Sequence, residues 1–136
     1  MNSEERARIL VEFNPNPPAS EKAIDQVELE RGAPLPEDYV LFLRETNGGE
    51  GFVGPNAYII LWRAEELAKW NQAYEVSTYA PGLFLFGSDG GGEAFAFDMR
   101  TEKRPVVSVP FVGMELSVVT QMAPRFEEFL EELSRL

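Results

Sequence analysis

Residues 86–98 read FGSDGGGEAFAFD, three consecutive glycines set among carboxylates and followed by alternating aromatics. Residues of these types could cradle a phosphate, hold a calcium ion or supply a pair of acids. Gly87 and Gly92 have the spacing that opens a P-loop, but the Lys and the Ser or Thr that should follow are Glu93 and Ala94. A glutamate at that point repels the phosphates the loop would hold, and the glycines of this stretch do not form G-x-G-x-x-G either. Asp89, Glu93 and Asp98 do not fall in the order D-x-[DN]-x-[DN]-G of a calcium loop. If residues 93–98 form a regular strand, Glu93 shares a face with Phe95 and Phe97, and Asp98 shares the other with Ala94 and Ala96. Carboxylates on opposite faces cannot flank one scissile bond as a glycosidase requires. What remains is a hairpin whose turn needs backbone angles that glycine tolerates at little cost. Phe84 and Phe86 would meet Phe95 and Phe97 across it, and the two alanines would leave room for a helix on the other face.

The elements that must position this hairpin are legible around it. The start carries Ile9, Leu10 and Phe13 on a short amphipathic stretch, and NPNPPAS at 14–20 punctuates the chain. We therefore expect an N-terminal arm and linker over 1–19 and a folded domain over 20–136. EERARILVEF could pack on its own domain or on a second chain, so oligomeric state stays open. Ser20 is placed to cap a helix with Ile24, Val27 and Leu29 on its apolar side, and Gly32 to stop it. In LPEDYVLFLRETNGG, Pro36 suits the first helical position, Glu37 and Asp38 the first turn, and Tyr39, Phe42 and Leu43 form one stripe. AYIILW reads as a buried strand and RAEELAKWNQAY as a helix with Leu67, Trp70 and Tyr74 on one side. GLFLFG, EAFAFD, PVVSVPF and ELSVV read as short strands, and APRFEEFLEELSRL closes as a helix. Its Phe126, Phe129, Leu130 and Leu133 form the apolar face, opposite a solvated stripe of Glu127, Glu128, Glu131 and Glu132. The strands are too close for parallel crossovers, so the expectation is a single α+β domain, its sheet mainly antiparallel with helices covering one side.

Composition narrows the chemistry further. The 136 residues include neither Cys nor His, which removes thiolate nucleophiles, disulfides, His metal ligands and the Ser-His-Asp triad. No enzyme activity, cofactor or metal is expected. Twelve Lys and Arg stand against 23 Asp and Glu, a formal net charge of −11. Such a surface repels nucleic acid and anionic membranes and attracts a basic protein. It also serves plain solubility. Without an apolar run long enough to span a bilayer, and without a cationic-then-apolar leader pattern, a soluble cytoplasmic protein is expected.

Taken in order, GAPLPEDYVLFLRETNGG, ILWRAEEL, FGSDGGGEAFAFD, VVSVPF and RFEEFLEEL resemble the SUKH superfamily, the Smi/Knr-type group, from about Ala23 to Leu133. The resemblance implies a non-enzymatic α+β domain. It further implies protein binding, as in bacterial immunity proteins that neutralise toxins, often nucleases, and in a fungal regulator of cell-wall synthesis. It carries over no catalytic residue. Its matching positions, among them Gly32, Pro36, Tyr39, Asn47, Gly48, Gly87, Asp89, Gly92 and Phe97, read as turn, cap and core. The leading expectation is an immunity protein against a toxin with a basic surface. A regulatory or scaffolding module is the alternative, and a carboxylate hydrolase at Asp89 and Glu93 the least favoured. Candidate partner-binding residues are Glu50, Trp62, Asp89 and Glu93, while Trp70 and Tyr74, at helical spacing, are expected in the core.

Overall fold

The computed structural model describes residues 2–136; Met1, the first residue of the expected arm, lies outside them. The chain runs α1 (Ser3–Ile9), β1 (Phe13–Pro15), α2 (Glu21–Arg31), α3 (Glu37–Glu45), β2 (Gly49–Val53), β3 (Ala57–Leu61), α4 (Ala64–Ala73) and α5 (Val76–Tyr79). It continues β4 (Leu83–Ser88), β5 (Glu93–Asp98), β6 (Val106–Pro110), β7 (Thr120–Ala123) and α6 (Phe126–Ser134). The strands form one seven-stranded sheet in sequence order, each antiparallel to the next. This is an α+β fold with an antiparallel sheet. No helix among the described residues is long and apolar enough to cross a membrane.

Local chemistry starts and stops the helices. The Ser20 hydroxyl accepts from the Ala23 amide at 3.1 Å, and Gly32 ends α2 in the left-handed region at φ +81°. Pro36 stands one residue before α3, in extended backbone, instead of at its first helical position. Leu29 points to solvent, so Ile24 and Val27 carry the buried side of α2. The principal core lies on one face of the sheet. There Tyr39 and Phe42 of α3 and Phe126 and Phe129 of α6 meet Phe86, Phe95 and Phe97.

Four segments depart from the sequence expectation. Residues 13–15, read as arm and linker, form the edge strand β1 against β2, with Phe13 buried in the core. GEGFV forms β2, its alternation hidden because two of its three inward positions are glycines. Residues 116–118 form a 3-10 turn, and the strand follows at β7. Their apolar side chains cover the sheet instead of lengthening it: Leu116 and Val119, with Met114 and Phe111, lie on the second face over β4–β6. Val76 and Ala80 of the α5 region lie there too, so helices do not cover one side alone. Over β2 and β3 that second face stays open. AYIILW is accordingly not buried throughout: Ala57, Ile59 and Leu61 point inward, Tyr58 is exposed and Ile60 half-buried.

Candidate partner-binding surface

The glycine turn closes on itself. The Asp89 carboxylate accepts from the Gly91 amide at 2.8 Å and the Glu93 amide at 3.2 Å, while the Asp89 amide donates to the Glu93 carbonyl at 3.1 Å. These amides are therefore not free to cradle a phosphate. Of the three consecutive glycines, Gly90 is the one in the left-handed region, at φ +79°. The β4–β5 pairing is the expected hairpin with a bulge between Leu85 and Gly87, and Phe86 stacks on Phe97 at 4.5 Å between centroids. Asp98 is engaged elsewhere. Two hydrogen bonds from the Arg100 guanidinium, at 2.9 and 2.8 Å, hold its carboxyl below the usual carboxylate range. Glu93 lies on the Phe95 side and does not join it. Among the described residues no cluster of Asp or Glu is arranged to hold a metal.

Glu50 and Trp62 come together in one groove, of about 570 Å³, between the β1–β2 end of the sheet and α4. Asn14, Ile60, Arg63 and Trp70 also line it. The strand register places Glu50 opposite Ile60 and Phe52 opposite Tyr58, and the Tyr58 hydroxyl donates to the Glu50 carboxylate. That hydrogen bond raises the Tyr58 pKa above the ordinary tyrosine value. Phe52, 41 % exposed, and Tyr58, 39 % exposed, meet edge to face at 5.4 Å on the open face. From Trp62 a row of rings continues through Trp70 and Tyr74 to Phe111, with centroid separations of 5.9, 5.9 and 4.6 Å. The expectation that Trp70 and Tyr74 are core residues is corrected: Trp70 is half-buried and Tyr74 exposed. The reason lies in α4, which turns Ala64 and Leu67 inward and leaves its next turn along the outside of the sheet.

Asn47 sets where α4 begins. Its side chain accepts from the Ala64 amide at 2.8 Å and donates to Glu65 at 2.8 Å. Gly48 packs so tightly below it that a Cβ would meet the Leu61 carbonyl oxygen at 2.3 Å. The turn that looks like a simple helix stop in NGG thus anchors the Trp62 corner.

Asp89 and Glu93 line a second cavity, a cleft of about 270 Å³ that opens beside β3. Tyr58 lines it as well, and so links it to Glu50. The four candidate residues thus fall in two places, Glu50 and Trp62 in the groove and Asp89 and Glu93 in the cleft, with Tyr58 between the two. Tyr58 and Phe52, on the open face, and Phe111, at the end of the ring row, were not singled out from the sequence. A strand with aromatics on its outward positions was the available signal, obscured by reading AYIILW as a buried strand.

A family model described as SMI1 / KNR4 family (SUKH-1) matches residues 18–132. No curated protein matches the chain.

Proposed function

The chain belongs to the SMI1 / KNR4 family (SUKH-1), and on that premise we propose that it is a non-enzymatic protein-binding domain, an immunity protein that neutralises a toxin with a basic surface. The observation that carries this reading is the open face of β2 and β3 with the groove and cleft beside it. Half-exposed aromatic rings lie beside Glu50, Asp89 and Glu93, on a chain of net charge −11. Rigid aromatic rings supply contact area at low entropic cost and are the residues that anchor protein interfaces. The carboxylates would steer a basic partner toward them and occupy positions where a nuclease holds phosphates.

Capture from lysate of the source cells, at low and at moderate salt, tests the reading. The expected result is one basic protein held in stoichiometric amount, released as salt rises and enzymatically inactive while bound. A neutral partner retained equally at both salts would instead mark a regulatory module, and the toxin reading would fall.

A further inference from the structure

β3 pairs with β4 at two positions, Ile60 with Ser88 and Leu61 with Gly87; β4 ends at Ser88, and the first half of β3 runs on past it with Gly90 of the turn beside the Tyr58 ring. The cleft lies beyond this end of β4. Its walls are largely apolar, with Ile59, Phe95, Met122, Leu133 and Leu136 among them, and its polar side chains are Asp89, Glu93, Ser108 and Tyr58, whose hydroxyl is already bonded to Glu50. No Lys or Arg lines it among the described residues. Ser108 is 7 % exposed as a residue; its hydroxyl makes no hydrogen bond to another described residue and is open to the cleft, not sealed in. It lies opposite Phe95 in the β5–β6 register, hence diagonal to Glu93 on the same face. Glu93 has no ion pair among the described residues, and one oxygen of Asp89 is left over from the turn.

We propose that this cleft takes a lysine or arginine side chain from the partner protein. A long cationic side chain carries an aliphatic stem that apolar walls can cover and a head that needs carboxylates and an acceptor hydroxyl. The cleft offers both, in a volume suited to one such side chain. A carboxylate side chain would be repelled by Asp89 and Glu93, and a purely apolar one would leave the Ser108 hydroxyl buried without a partner. The proposal rests on the protein-binding reading above and specifies the contact at which a basic partner would be recognised.

The first test needs no partner. Full-length protein, labelled with nitrogen-15, is titrated with n-butylguanidinium, n-butylammonium and, as an apolar control, n-butanol. Both cations should shift amides at 57–59, 89–93 and 108, while butanol binds at least fivefold more weakly. Glu93→Gln, a substitution at a partly exposed position, should weaken cation binding at least threefold. Ser108→Val, which adds bulk in the cleft within a strand that favours β-branched residues, should abolish it. Equal binding of butanol, or no localised shift, overturns the proposal. The second test uses the captured partner: a Glu93→Gln, Ser108→Val double variant should raise Kd at least tenfold. A partner bound with unchanged affinity by that variant sinks the cleft while the protein-binding reading stands. Failure to capture any basic partner sinks that reading itself.

Discussion

The Tyr39 hydroxyl is the most exposed weakness of the core at the scale of single residues. The ring is 1 % exposed, packed against Phe97 at 5.0 Å and Phe126 at 5.1 Å, and its oxygen has no hydrogen-bond partner among the described residues. A buried hydroxyl without a partner carries its full desolvation cost, so Tyr39→Phe should leave stability unchanged or raise it by about 1–2 kcal/mol in chemical denaturation. Burial also raises the Tyr39 pKa above the ordinary tyrosine value. The folded state therefore keeps this proton at a pH where the unfolded chain releases it. Stability from this group is whole below pH of about 10 and declines above it, and the Phe variant should show a shallower alkaline decline. Asn47 is the opposite case, a buried polar side chain with its partners in place. Asn47→Ala leaves the buried Ala64 amide without its acceptor and should cost about 1–3 kcal/mol. The same side chain, by hydrogen bonding, holds the Glu65 pKa below the carboxylate range. That contribution is present above the ordinary glutamate value near 4 and is lost as pH falls through the lowered one, so the variant should also lose part of its acid sensitivity.

At the scale of elements, α4 acts as a partial replacement for a strand. Beyond Leu61 the chain leaves β4, whose backbone would be unpaired at Leu85. The Asn71 side chain supplies both missing bonds, donating to the Leu85 carbonyl at 2.9 Å and accepting from its amide at 2.8 Å. Asn71→Leu should cost about 2–3 kcal/mol and speed hydrogen exchange at the Leu85 amide above that of its β4 neighbours. A uniform increase along β4 would show that Asn71 has no such local role. This docking also explains the aromatic row: an α4 held to β4 by one side of Asn71 and Leu67 must leave Trp70 and Tyr74 along the outside. The N-terminal helix is held in a different way, through charge. Arg6 pairs with Glu45 of α3 and reaches Glu127 of α6 at 3.5 Å, while Ile9 and Leu10 pack on the principal core.

For the whole molecule, the sum of charges governs encounter more than it governs the fold. A net charge of −11 spread over so small a chain creates a field that salt screens over about 8–10 Å at ordinary ionic strength. Association with a basic partner should slow at least tenfold between low and physiological salt, with dissociation changing much less, as read by stopped-flow mixing. Combined Glu50→Gln, Asp89→Asn and Glu93→Gln substitutions should reduce that salt dependence. An unchanged slope would place the interface elsewhere on the molecule.

Much of this was determined by the order of residues alone. Caps, stops and period-matched apolar positions are local, and they specified α2, α3, α6 and the β4–β5 hairpin with Phe86, Phe95 and Phe97 in the core. The reading of the glycines as a turn and not a phosphate loop needed only Glu93 where a lysine should stand. Tertiary structure decided the rest because it depends on what covers each face. β2 was invisible because two of its three inward positions are glycines, whose space is claimed by the backbone of neighbouring segments. Trp70 and Tyr74 had a core spacing but lie outside the core because α4 turns Ala64 and Leu67 inward. The cleft at Asp89, Glu93 and Ser108 lies where β3 runs on past the end of β4, an offset between strands that no spacing within either one encodes.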